Sequence, residues 1–334
     1  MKIYKVGGAV RDHIMGVRPN DSDWVVVGST PEEMKSLGYK QVGADFPVFL
    51  HPETNEEYAL ARTEKKTGKG YSGFSVQYEK NITLEEDLLR RDLTMNSIAM
   101  SESGQIIDPY NGVEDIKNKI LRHTSDAFYE DPLRALRLAR FKTKFTGFSI
   151  HEETAEVLSK ILLSGEIDYL TKERVLQEMK KGFEIDALKY LQNIMQLNLT
   201  SPWFDNLSKL PETVADKFEY AWCQISQLNG FNFAHRLLES NDLKTILDVW
   251  QEMHSYSQKA EIHDKVRFFQ KITSPKYEKY FVNLLPYFEP TMESCKKIYE
   301  EIKTIDFRYL ANLDRNLLYN EKINRIKEIV ENNE

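Results

Sequence analysis

The chain has 334 residues, 41% hydrophobic and 29% charged side chains and a formal net charge of −7, a balance that excludes the disordered and membrane-embedded classes. Its length exceeds the roughly 250–300 residues at which a single hydrophobic core stops growing, so two or three packed units are expected. The negative total argues against sliding on bulk nucleic acid, whose phosphates are bound by Lys and Arg, and favours a compact, structured nucleic acid met by a local basic groove.

Two cysteines, Cys223 and Cys295, occur with no CxxC pair and no histidine cluster at metal-ligand spacing. A disulfide framework and a zinc site are therefore not expected, and a reducing compartment is. The opening MKIYKVGG lacks the apolar stretch of a secretory signal, and no segment approaches the roughly 18–20 apolar residues of a membrane span. A cytoplasmic location is expected.

Residues 1–125 mix short β-type runs with short helices. KIYKV (2–6), WVVVG (24–28), PVFL (47–50) and EYALAR (57–62) read as strands, being rich in β-branched and aromatic residues and bounded by Gly, Pro or Asp. Thr30-Pro31-Glu32-Glu33 supplies an N-cap, a proline at the first helical position and the carboxylate of a capping box, which predicts a helix over about 31–37. The same device at Thr83 and Glu86 predicts a helix running through LLRRDLTMNSIAM. From Asp131, with Pro132 behind it, helical spacing takes over, and 126–334 reads as all helical. Turns are expected at Leu199–Pro202, Ser274-Pro275 and Pro286–Pro290.

Four segments carry chemistry. In GGAVRD (7–12), Gly7 and Gly8 close a strand and open a helix, so their N–H groups can approach phosphate with no Cβ in the way, and Arg11 stands one turn on. In NDSDW (20–24), Asp21 and Asp23 are two apart at a strand start and point to one face. Two carboxylates so placed repel unless a hard divalent cation joins them, and Mg²⁺ takes one or two carboxylates together with substrate phosphates. Glu57 is the candidate third ligand, or a plain strand-edge carboxylate. In LLRRDLTMN (88–96), Asp92 and Asn96 are four apart on the predicted helix. Of the consecutive Arg90 and Arg91 only one can then face inward. The segment is either a triphosphate and ribose grip or a solvated charged face. In EDPLRALRLAR (130–140), Arg134, Arg137 and Arg140 form a stripe on one side of a helix with Asp131 at its mouth. An Asp acceptor beside an Arg donor fork can read the edge of a base, and the alternative is a surface laced with ion pairs such as Asp131 with Arg134.

Together these segments resemble the class II CCA-adding enzymes, bacterial-type tRNA nucleotidyltransferases of the polymerase-β superfamily, over about residues 1–145. GGAVRD with DSDW is similar to the family's metal and nucleotide motif, RRDLTMN to its ribose-reading motif and EDPLRALRLAR to its base-reading motif. IIDPYNG (106–112) looks like the hinge segment, and ERVLQE (173–178) like the family's next helical motif. The resemblance implies an α+β fold: a nucleotidyltransferase head with a small mixed β-sheet over 1–125, then an all-α neck over 126–200 and an all-α body and tail over 201–334 that binds tRNA. It implies that Gly8 and Arg11 contact the nucleotide, that Asp21 and Asp23 are catalytic and bind Mg²⁺, and that Arg91, Arg137 and Arg140 complete the nucleotide site. Asp92 and Asn96 would favour ribonucleotides, and Asp131 and Arg134 would bond cytosine or adenine in place of a template. The implied partners are the acceptor arm and 3′ end of tRNA, with CTP and ATP as substrates, no DNA, no membrane, and a monomer as the favoured state.

RTEKKTGKGYSGF (62–74) looks like the flexible loop of enzymes that add all of CCA and that CC-adding relatives lack. Poly(A) polymerases of the group carry a strongly basic tail, whereas this chain ends in ENNE. His263-Asp264 stands isolated, so the phosphohydrolase domain of some longer relatives is not expected. The remaining alternatives are a CC-adding or A-adding enzyme, nucleotide transfer to an antibiotic or other small hydroxyl acceptor, and an RNA-binding module on a decayed scaffold. The intact Asp21 and Asp23 argue against decay, and the arginine stripe has no use in transfer to a small acceptor.

Overall fold

The computed structural model describes residues 1–19, 22–42, 48–66, 74–77, 79–238, 240–256, 258–259, 261–306 and 314–333. The chain divides into two units, Met1–Phe204 and Asp205–Glu334. The fold is α+β, with a mixed sheet in the N-terminal part and mostly helices after it.

The first unit contains strands β1 (Lys2–Val6), β2 (Asp23–Val27), β3 (Lys40–Val42), β4 (Val48–Leu50), β5 (Glu57–Leu60), β6 (Thr63–Lys66), β7 (Phe74–Gln77), β8 (Ala99–Ser101) and β9 (Ile106–Ile107). Seven of them form one sheet in the order β3-β4-β5-β2-β1-β8-β9, and β6 pairs with β7 in a separate antiparallel ladder. Strand β2 runs antiparallel to β1 and parallel to β5, which places Asp23 opposite Val6 on one side and Glu57 on the other. The run Trp24-Val25-Val26 shows no polar alternation because both faces of the sheet are covered. Val25 packs with Val6, Leu84 and Leu88 on one face, and Val26 packs with Met34, Phe49 and Leu60 on the other.

The helices that cover these faces begin where their caps say. Helix α1 (Gly8–Ile14) comes directly after β1, and α2 (Pro31–Ser36) and α3 (Leu84–Leu89) each carry a complete capping box. The Glu33 N–H donates to Thr30 Oγ1 at 3.2 Å, and the Thr83 N–H donates to Glu86 Oε2 at 2.8 Å.

Helix α3 is shorter than its sequence suggests. It stops at Leu89, and the segment expected to continue it becomes a turn, a short 3-10 helix over Thr94–Asn96 and strand β8. Past its end the Asp92 carboxylate accepts the Leu93 N–H at 2.8 Å, and Leu93 takes an extended backbone with φ −120°. The freed backbone pairs elsewhere, the Thr94 N–H donating to the Arg122 carbonyl at 2.9 Å and the Thr124 N–H to the Asp92 carbonyl at 3.1 Å.

In the hinge-like segment, Asp108 accepts the N–H groups of Gly112 and Val113, both at 2.8 Å, at the start of helix α4 (Gly112–Asn118). A Cβ on Gly112 would lie 2.1 Å from the Thr94 carbonyl oxygen, so only glycine lets α4 approach the Thr94 turn this closely. Gly112→Ala is expected to cost about 3 kcal/mol, the upper part of the overpacking range, because backbone and not a flexible side chain must give way. Amide exchange of the 92–98 and 112–118 peptides reads this, and unchanged protection in both would refute it.

Two further strands, β10 (Ile120–Leu121) and β11 (Ser149–Ile150), form a parallel pair. The second lies inside 126–334, so that stretch is not wholly helical. Between and after them come α5 (Ala127–Glu130), α6 (Leu133–Lys144), α7 (Glu152–Ser164) and α8 (Lys172–Gln196), the last broken at Asp186, whose backbone is extended. Helix α6 is buried around most of its circumference, and the positions left open are Arg134, Arg137 and Arg140 with Lys142 and Lys144 in its last turn. Asp131 caps it, accepting the Leu133 N–H at 3.2 Å.

The second unit holds α9 (Phe218–Leu228), α10 (Asn241–Tyr256), α11 (Ile262–Ile272), α12 (Glu278–Leu284), α13 (Glu293–Lys303) and α14 (Arg315–Asn332). Its core is aromatic, with Trp250, Phe268, Phe269 and Phe281 among the residues buried in it. All three expected turns fall between helices.

Candidate active site

A cleft of about 610 Å³ in the first unit gathers nearly every described residue that the sequence singled out. Gly7 and Gly8 line it where β1 turns into α1, Gly7 with φ +70°. A Cβ on Gly7 would come within 3.0 Å of Arg91 Nη1, so the bare glycine leaves room for a guanidinium directly over the turn. Arg11, one turn along, is 5% exposed and donates from Nη1 to Asn96 Oδ1 at 2.6 Å. Its guanidinium also lies 4.9 Å from the Phe145 ring centre.

Asp23 lines the same cleft and is exposed at the first position of β2. Asp21 lies outside the described residues. Across the parallel ladder Asp23 stands in register with Glu57, also exposed, so both carboxylates leave the sheet on one side. They line a second, smaller cavity with Arg62, Arg90 and Arg91. An oxygen-only pair of this kind suits a hard cation such as Mg²⁺. Among the described residues no group of three or more His, Cys, Asp or Glu side chains comes together at ligand spacing.

Asp92 and Asn96 do not share an α-helix, yet the turn brings them together, Asn96 Nδ2 donating to Asp92 Oδ1 at 2.9 Å. Asp92 Oδ2 accepts from Arg137 Nε at 2.8 Å and Nη2 at 2.6 Å. With the Leu93 N–H these bonds occupy the four acceptor positions of the carboxylate. Both Arg90 and Arg91 line the cleft, correcting the expectation that only one could face inward. That limit belongs to a continuous helix, and α3 has already ended. Of the arginine stripe, Arg134 donates to the Arg90 carbonyl, Arg137 grips Asp92, and Arg140 Nε donates to Glu178 Oε2 at 2.6 Å. Asp131 pairs with Arg174, at 2.8 and 3.2 Å.

The walls are strongly positive. Among the described residues, nine Lys and Arg side chains line the cleft against three carboxylates, Asp23, Asp92 and Asp131. Burial acts to raise the Asp92 pKa, but Arg137, the Asn96 amide and Arg134 outweigh it and hold the carboxyl well below the usual carboxylate range. Burial likewise opposes the charge on Arg137, and Asp92 with Glu178 more than restores it. At the rim, burial and then the neighbouring Arg11 push the Lys144 ammonium below its ordinary value.

Residues 3–122 match the poly A polymerase head domain. The chain is 60% identical over 182 residues to the CCA-adding enzyme of Coxiella burnetii, covering 54% of this chain and 48% of that one. It is 54% identical over 218 residues to the multifunctional CCA protein of Aliivibrio salmonicida, covering 64% of this chain and 54% of that one. Over this part of its sequence the chain is similar to bacterial CCA-adding enzymes. It spans about half the length of the curated relatives it matches. Its fold is also that of a CCA-adding enzyme solved with CTP, at TM-score 0.64 and 20% identity over 99% of this chain and 89% of that one. A Thermotoga maritima CCA-adding enzyme complexed with tRNA gives TM-score 0.61 and 20% identity over 99% and 90%.

Sequence reasoning missed the residues that stand behind the cleft wall. Glu178 is 3% exposed and approaches Arg137 at 3.6 Å as well as bonding Arg140. Arg174 holds Asp131, and Asp87 holds both Arg90 and Arg91. A signal existed for each: Arg174 and Glu178 are four apart in ERVLQE and so share one face of α8, and Asp87 stands three and four residues before Arg90 and Arg91.

Proposed function

We propose that this chain is a tRNA nucleotidyltransferase that adds or repairs the 3′-terminal CCA from CTP and ATP without a nucleic-acid template. The observation that carries the reading is one cleft shared by an Asp and Arg pair suited to a base edge, a glycine turn suited to phosphate and a carboxylate at a strand start. The names of its relatives, and of the fold neighbours bound to CTP and to tRNA, support it.

In this reading Gly7, Gly8, Arg11, Arg91, Arg137 and Arg140 hold the triphosphate, and Asn96, oriented by Asp92, meets the ribose. Asp131 accepts a hydrogen bond from the amino group that cytosine and adenine share, while Arg134 donates to a ring acceptor, which uracil and guanine cannot match in the same geometry. Asp21 and Asp23 hold Mg²⁺, with Glu57 as third carboxylate. Two Mg²⁺ ions held there would supply charge neutralisation at the α-phosphate and on the departing pyrophosphate. The tRNA 3′ oxygen then displaces pyrophosphate, its approach guided by the basic wall.

Residues 1–125 serve as catalytic head, 126–200 as neck and 201–334 as body and tail against the acceptor arm. Addition of all three nucleotides, and not of CC alone, is inferred from the loop-like segment 62–74, of which 67–73 lie outside the described residues. No described helix is long and apolar enough to cross a membrane, and Cys223 and Cys295 are free thiols. The free thiols support a cytoplasmic setting.

The test supplies tRNA lacking its last three, two or one nucleotides with CTP, ATP or both, and sizes the products. Completion to CCA and no further is expected. Growth by C alone would mean a CC-adding enzyme, growth by a single A an A-adding enzyme and long A tracts a poly(A) polymerase. Binding without growth would mean an RNA-binding module.

A further inference from the structure

Asp87 does not line the cleft, yet several groups that do are fixed by it. Its side chain is fully buried. Oδ1 accepts from Arg90 Nη2 at 2.7 Å, from Arg90 Nε at 3.1 Å and from the Arg62 N–H at 3.3 Å. Oδ2 accepts from Arg91 Nη2 at 3.1 Å. The other terminal nitrogen of Arg91 is the one that sits over Gly7. Arg90 reaches further in two directions: its Nε donates to the Arg62 carbonyl at 3.1 Å, and its own carbonyl accepts from Arg134 Nη2.

We propose that Asp87 is a positioning residue for nucleotide selection, setting Arg91 above the phosphate turn and, through Arg90, the carbonyl that holds the base-facing Arg134. Grip on the triphosphate and choice of base thus hang on one buried anion. The inference rests on the proposed nucleotide-binding role of the cleft. Two arginines adjacent in sequence diverge unless something gathers them, and a carboxylate accepting from both guanidinium groups does so with charge-assisted, directional bonds. Burying such a group carries a desolvation cost that an apolar side chain would avoid, so its contribution is defined geometry more than stability.

Asp87→Asn keeps the shape and removes the charge. The expected result is a KM for CTP and ATP raised about tenfold, a smaller change in kcat, and a CTP-over-UTP preference that falls toward that of Arg134→Ala. In an Arg91→Ala background the further rise in KM caused by Asp87→Asn shrinks to about twofold or less, because the two changes remove the same contact. A variant whose KM and base preference both stay within about twofold of the parent's overturns the inference, as does full additivity on Arg91→Ala. If Asp87→Asn fails to fold, Arg90→Met decides: it removes one guanidinium and leaves Arg91 to pair with the carboxylate. Base preference must then fall at least about threefold, and an unchanged preference overturns the inference. A parent chain that incorporates neither CMP nor AMP overturns the nucleotide-binding role of the cleft and this inference with it, whereas an active parent with an indifferent Asp87→Asn overturns the inference alone.

Discussion

Asp23→Ala is expected to remove the proposed nucleotide incorporation while leaving the fold and tRNA affinity intact. The side chain is exposed at the first residue of β2, so its loss should move stability by no more than about 0.5 kcal/mol. Its chemical cost is of another order, because charge neutralisation by a bound cation is worth several kcal/mol and about 1.4 kcal/mol is a factor of ten in rate. Single-turnover CMP incorporation should fall about 10³-fold or more. Asp21→Ala should behave alike. Gel-shift with tRNA provides the control, and an Asp23→Ala protein turning over within about tenfold of the parent would remove the catalytic assignment.

The second large effect belongs to Asp92. Asp92→Asn keeps the volume but leaves Arg137 facing an amide; because Arg137 is partly open to the cleft and keeps Glu178 at 3.6 Å, the cost is about 1.5–3 kcal/mol, that of hydrogen bonds to a charged group. The pH dependence has a definite sign. The folded pKa lies below the unfolded value of about 3.9, so the stabilisation is complete above about pH 5 and is lost as pH falls through the unfolded value toward the folded one. The variant should therefore lose protection at neutral pH and show a shallower acid limb than the parent. Amide exchange of the α6 peptides, tracked from pH 7 to the acid limb, is the measurement. Equal protection of the two proteins at neutral pH would refute the role.

The parts of this fold that could be read in the sequence are those decided within a few residues. Thr30 with Glu33 and Thr83 with Glu86 close their capping boxes because partner and cap are one turn apart. The glycine turn is legible for the same reason. The end of α3 is not, since Arg91–Asn96 could continue a helix on its own and is drawn out of it by pairing with residues 122–124. Strand β8 takes its place beside β1 across the whole length of the head. The candidate site divides the same way. Arg134, Arg137 and Arg140 announce themselves by spacing, but Glu178 reads as an ordinary helix-surface glutamate until α8 packs it behind Arg140. Asp87 stands three and four residues before Arg90 and Arg91, a spacing visible in the sequence, but its complete burial is not.

The charge distribution of the cleft has a consequence for how the molecule meets a polyanion. In a chain whose total is −7 and whose cleft concentrates nine Lys and Arg side chains against three carboxylates, the residues outside the cleft carry a larger net negative charge than the total. That acidic remainder weakens non-specific attraction of a polyanion to the chain away from the cleft.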